Sequence, residues 1–159
     1  MTTNISGLIV SALTAERNSL SDFVTLLEHE QNALVENDTD LLMQLAEQKS
    51  ARALSLSNLI NTRHHLLKTA LNEPTTESTL TWLQAHCKQG LSLWKEIRVL
   101  GEKAKQLNQN SGELIQMKLR HNQQAMTVLN NAANKANLYG PDGQPNLSVI
   151  GRGRTLGNV

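Results

Sequence analysis

Leucine recurs every seven residues at the start of the chain, at Leu13, Leu20, Leu27 and Leu34, with Ile9 and Phe23 at offset positions between them. Such a seam keeps one apolar face turned toward a neighbouring helix and predicts a first helix over residues 1–36. Asn37-Asp38-Thr39-Asp40 follows, a run of short polar side chains that can cap a helix start. Apolar spacing then restarts at Leu41 and Leu42, and Leu45, Leu56, Leu59, Leu66 and Ala70 extend it into a second helix over 38–72, stopped by Glu73-Pro74-Thr75-Thr76. A third pattern opens near Ser78 or Thr79 and carries Leu80, Leu83, Cys87, Leu91, Trp94, Ile97, Ala104 and Leu107 at three- and four-residue steps, predicting a helix over 79–110. Leu114, Ile115, Leu119, Met126, Leu129 and Ala133 prolong that stripe over residues 111–137 without a proline. Gly101 and the cluster Asn108-Gln109-Asn110-Ser111-Gly112 are its weak points, since glycine costs about 1 kcal/mol against alanine inside a helix and Asn and Ser compete for backbone hydrogen bonds. The third helix therefore either extends through residues 108–112 or kinks there, with Asn108 and Gly112 as hinge candidates.

Lengths sharpen this picture. At 1.5 Å per residue the first two helices are each about 50 Å long, whereas an unbroken third pattern reaches almost 90 Å. The fold expected is all-α: an antiparallel bundle of three long helices within a 1–137 domain, the third carrying a C-terminal partner-binding helix at 111–137. The overhang keeps an apolar stripe that must fold back, pair with a second copy or receive another protein. Leu114, Ile115, Leu119, Met126 and Leu129 are the side chains that it offers. Five of nine glycines and two of three prolines lie beyond residue 137, so 138–159 is expected to be a flexible tail. Its one tyrosine, Tyr139, stands beside Gly140 and Pro141, where an aromatic ring suits the anchoring of a short motif.

Composition agrees with helices and narrows the function. The chain has 27 leucines against four aromatic residues, and 15 Lys and Arg against 14 Asp and Glu. A net charge of +1 gives no general grip on nucleic acid or an anionic membrane. Residues 1–36 hold five acidic and one basic side chain and residues 73–137 five acidic and eight basic, so the first and third helices complement each other. A single Cys87 excludes an internal disulfide and suits a reducing cytoplasm. The longest Leu/Ile/Val run, Leu8-Ile9-Val10, is far short of a membrane span, and no signal segment is expected.

Five histidines lack the Glu-x-x-His spacing of di-metal bundles, and the adjacent His64 and His65 read as solvated. His86 and Cys87, neighbours on one helix, do not meet as base and nucleophile. Phosphate loops, serine elbows and cofactor motifs are lacking, so a non-enzyme without cofactor or metal is expected. Trp94 continues the stripe and reads as core, Trp82 as a lid over one bundle end. Arg152-Gly153-Arg154 is too sparse to suggest RNA contact.

The segment LNQNSGELIQMKLRHNQQAMTVL at 107–129, followed by NLYGPDGQ at 137–144, resembles the FlgN family of flagellar export chaperones. Glu47-Gln48-Lys49 and Trp82 also fit, while the likeness within residues 1–75 rests mainly on heptad leucines. The resemblance implies a cytoplasmic, non-catalytic chaperone that binds the helix-forming terminal segment of hook-filament junction proteins, mostly through its own C-terminal part, and prevents their premature assembly. It also implies delivery to the type III export gate, with Tyr139 as the docking residue. The competing expectation is a structural coiled-coil module that self-associates through 111–137. A weak homodimer is compatible with either.

Overall fold

The computed structural model describes residues 2–138, and the side chains of 4–136. These residues form four helices, α1 (Thr2–Glu36), α2 (Thr39–Ala70), α3 (Thr76–His86) and α4 (Lys88–Leu138). They divide into two compact units, the first ending at Leu114 and the second beginning at Ile115.

Within the first unit the α1–α2 turn is tight because two residues do four jobs. Asn37 takes a left-handed conformation (φ 58°), which asparagine tolerates better than most residues. Its N–H donates to Leu34 O and that of Asp38 to Ala33 O at 3.0 Å, closing the end of α1 with paired bonds. The Asp38 carboxylate then accepts from Leu41 N at 3.1 Å and opens α2, the capping role expected of this run. Two ion pairs fix α2 antiparallel to α1: Arg63 with Glu16 at 2.7 Å and Lys49 with Glu30 at 3.0 Å. From Glu16 to Glu30, as from Lys49 to Arg63, is two heptads, so both pairs enforce one register. α4 runs in the same sense as α1, tied by Arg17–Glu96 and Lys103–Glu28, and opposite to α2, where Lys49 also donates to Asn108 Oδ1 at 2.9 Å.

The third helix departs from expectation. It starts at Thr76, because Thr75 and Ser78 form a reciprocal capping box: Ser78 N donates to Thr75 Oγ1 at 3.1 Å and Thr75 N to Ser78 Oγ at 2.8 Å. It stops at His86, since Cys87 leaves the helical region (φ −154°, ψ 89°) and stands alone between α3 and α4. Cys87 serves both ends. Its N–H donates to Leu83 O, its carbonyl accepts from Leu91 N, and its Sγ accepts from Gly90 N at 3.3 Å. A Cβ at Gly90 would lie 2.9 Å from Leu83 Cδ2 and 3.1 Å from Cys87 Sγ, so a side chain there would have to displace the fully buried Leu83. The apolar stripe thus passes through a break at Cys87, while α4 is helical without interruption through Asn108 and Gly112.

The core gathers Ile9, Leu13, Leu20, Leu27, Leu67, Leu83, Trp94 and Ile97, with Trp82 packed half-buried against it. A smaller cluster of Leu26, Ala33 and Leu45 lies with Leu42. Trp94 is therefore core, as its place on the stripe requires.

Candidate partner-binding site

α4 changes character along its length. In the first unit it buries Leu93, Trp94, Ile97 and Ala104. In the second unit every side chain from 115 to 136 is exposed or, at Lys118, half-buried. Ile115, Leu119, Met126 (58 % exposed) and Leu129 (64 %) face solvent, and Leu114, the last residue of the first unit, is half-buried. Four expected partner-binding residues are thus exposed, whereas Leu114 is half-buried.

The steps between these residues alternate between four and three. Ile115, Leu119, Asn122, Met126, Leu129, Ala133 and Ala136 make a continuous heptad seam with one polar member. Amides dominate the rest of the surface, at Gln116, Gln123, Gln124, Asn130, Asn131 and Asn134. Residues 115–138 contain Lys118, Arg120 and Lys135 and no Asp or Glu. A continuous exposed apolar strip rimmed by polar side chains marks an interaction surface, unlike the scattered exposed leucines of the first unit such as Leu8 and Leu54. Met117 and Val128 are exposed apolar residues off the seam, which the leucine spacing does not single out.

In the first unit the most specific polar feature joins α1, α2 and α4. Glu16 is almost wholly buried, paired with Arg63, whose guanidinium lies 4.8 Å from the centre of the Trp94 ring. Burial pushes the Glu16 carboxyl above its usual range, and the positive charge of Arg63 opposes that shift. Leucine spacing alone conceals this pair, although Glu16 and Glu30 stand three residues after Leu13 and Leu27, at positions that a heptad turns inward.

His86 is engaged with its own helix: its Nδ1 lies 2.9 Å from Trp82 O and its ring stacks on Trp82 at 5.0 Å. Among the described residues no three His, Cys, Asp or Glu are grouped to hold a metal ion, and no helix is long and apolar enough to cross a membrane. Tyr139 and the rest of the tail lie outside the described residues.

Sequence comparison places this geometry in context. The family model described as FlgN protein matches residues 6–146. The Flagella synthesis protein FlgN of Yersinia enterocolitica is 32 % identical over 139 residues, covering 84 % of this chain and 86 % of that protein. The protein of the same name from Escherichia coli (strain K12) is 29 % identical over 134 residues, covering 83 % and 86 %. No solved structure matches the chain.

Proposed function

Because the chain belongs to the FlgN family, we propose that it is a non-catalytic, cytoplasmic flagellar export chaperone. It binds the helical terminal segment of hook-filament junction proteins, prevents their premature assembly and delivers them to the type III export gate. The observation that carries this reading is the exposed seam from Ile115 to Ala136. A terminal segment that is disordered when free gains a helix partner by laying its own apolar face on that seam. Mixing the purified chain with a junction protein tests the reading. A complex should form with the intact protein and not with one lacking its terminal segment, and equal binding of both would refute it.

A structural coiled coil that pairs only with itself is the second reading, since a heptad seam also suits a second copy.

Asn108 and Gly112 serve in this proposal as the place where α4 yields when cargo docks. Support comes from Gly112, around which a Cβ would find nothing within 4 Å, and from Ser111, whose buried hydroxyl has no hydrogen-bond partner. Amides 108–114 should therefore exchange hydrogen faster than those of the α4 segment around Ile97. Equal protection would remove the hinge.

Tyr139 is proposed as the export-gate anchor, separate from the cargo seam. Tyr139→Ala should leave cargo affinity nearly unchanged and weaken gate binding by about 2 kcal/mol, the scale of an aromatic anchor. Both affinities measured on that one variant decide the matter, and loss of cargo binding would place Tyr139 in the cargo site instead.

A further inference from the structure

Within the first unit α2 is held by its two ends and by polar side chains more than by a core. Its buried residues are Leu45 and Leu67. Among the described residues between them none is buried, and Lys49, Leu56, Leu59, Arg63 and Leu66 are half-buried. Over a similar length α1 buries Leu13, Leu20, Val24, Leu27 and Leu34. Cations tie the middle of α2 instead: Lys49 to Glu30 and to Asn108 of α4, Arg52 to the Asp22 carbonyl at 3.3 Å, and Arg63 to Glu16. Behind it lies a gap of about 300 Å³ lined in part by Leu20, Leu56, Ile60, Trp94, Ile97 and Gly101. Gly101 leaves that gap unfilled, because a Cβ there would meet no atom within 4 Å.

We infer that residues 46–66 of α2 form a strap over this gap, which opens as a unit while α1 and α4 stay folded. A segment with few buried apolar contacts opens at a lower free energy than the core on which it lies. Leaving that core costs the strap little apolar burial, and Lys49, Arg52 and Arg63 regain water as they separate. Opening also solvates Glu16 and Arg63 together, so neither remains as a lone buried charge, the state that makes removal of one partner costly. The open strap uncovers Leu20, Trp94 and Ile97, all buried when it is closed, and releases Asn108 of α4 from Lys49. The first unit can therefore expose an apolar surface of α1 and α4 without unfolding. This opening is independent of what binds residues 115–136.

Native-state hydrogen exchange on the full chain tests this. Amides of 46–66 should be protected at least about tenfold less than those of α1 between Leu13 and Leu34, and should share one dependence on urea, the mark of a single opening. Two substitutions at Gly101 identify that opening. Gly101→Ala should slow exchange in α1 about fivefold, because it adds helix propensity that α4 loses only when the whole unit unfolds. The amides of 46–66 should be unchanged in that variant, since α4 stays helical while the strap opens. Gly101→Leu places a side chain in the gap against Leu56 and Ile60, and should slow exchange of 46–66 about tenfold relative to Gly101→Ala. Equal protection of 46–66 and α1 overturns the inference, as does a Gly101→Ala variant in which both are slowed by the same factor. Exchange of 46–66 that is no slower in Gly101→Leu than in Gly101→Ala also overturns it, because the gap would then not be what leaves the strap loose.

Discussion

Arg63→Met should destabilise the helical bundle by about 3–5 kcal/mol, the cost of leaving a buried charge without its partner. The side chains of Glu16 and Arg63 are 3 % and 16 % exposed, so water cannot replace the lost guanidinium. The same substitution removes the cation that lies over Trp94, and with it a contact that holds α4 to α2. Glu16→Gln should cost less, because Arg63 keeps Trp94 and some access to solvent. Replacing the pair together, as Glu16→Leu with Arg63→Met, should recover most of the loss. Urea unfolding of the two single variants and the double variant measures all three. A double variant no more stable than Arg63→Met would show that packing, not an orphaned carboxylate, sets the cost.

The pH dependence carries the same signature. Burial places the folded-state pKa of Glu16 above its unfolded value, so between the two the folded protein holds a proton that the unfolded chain has lost. Through this group, stability falls as pH rises across that window and is level above it. Arg63→Met removes the opposing positive charge, raises the folded pKa further and extends the window upward. The stability gap between this variant and the unaltered chain should therefore narrow on acidification from neutral pH. A gap that is constant with pH would mean that Glu16 stays charged in the variant and that losing Arg63 does not raise its pKa further.

Leucine spacing makes α1 and α2 legible, because Leu13, Leu20, Leu27 and Leu34 repeat cleanly and Asp38 stands where a cap must. It leaves extension or a kink open at 108–112, where α4 extends, and does not show the break that precedes α4. Propensity marks Asn108–Gly112 as the weak point, but the break falls at Cys87, where Gly90 lets the first turn of α4 approach Leu83. A local scale cannot register that contact. The seam in 115–136 is legible as apolar spacing, but its exposure is a tertiary fact. Leu114 and Ile115 are adjacent and read alike, yet the first is half-buried and the second exposed. The buried pairs of Glu16 with Arg63 and Glu30 with Lys49 escape a reading that follows hydrophobic residues, since each puts a carboxylate where the heptad calls for leucine.

Leu119→Asp and Met126→Asp should each abolish cargo binding while leaving the bundle folded. Both side chains are more than half exposed, so a carboxylate at either position is solvated in the free protein and costs the fold little. In the complex the same carboxylate is buried against an apolar face. At about 3 kcal/mol or more for an unpaired charge, affinity falls about a hundredfold or further. Circular dichroism and calorimetric unfolding should superimpose on those of the unaltered chain.

The affinity of Leu119→Asp for a purified hook-filament junction protein, set beside that of the unaltered chain in one calorimetric titration, tests the assignment of residues 115–136 as the cargo seam most directly. A loss of about a hundredfold with an unchanged unfolding midpoint is the result expected. Undiminished affinity, or loss of binding only together with loss of the fold, would contradict it.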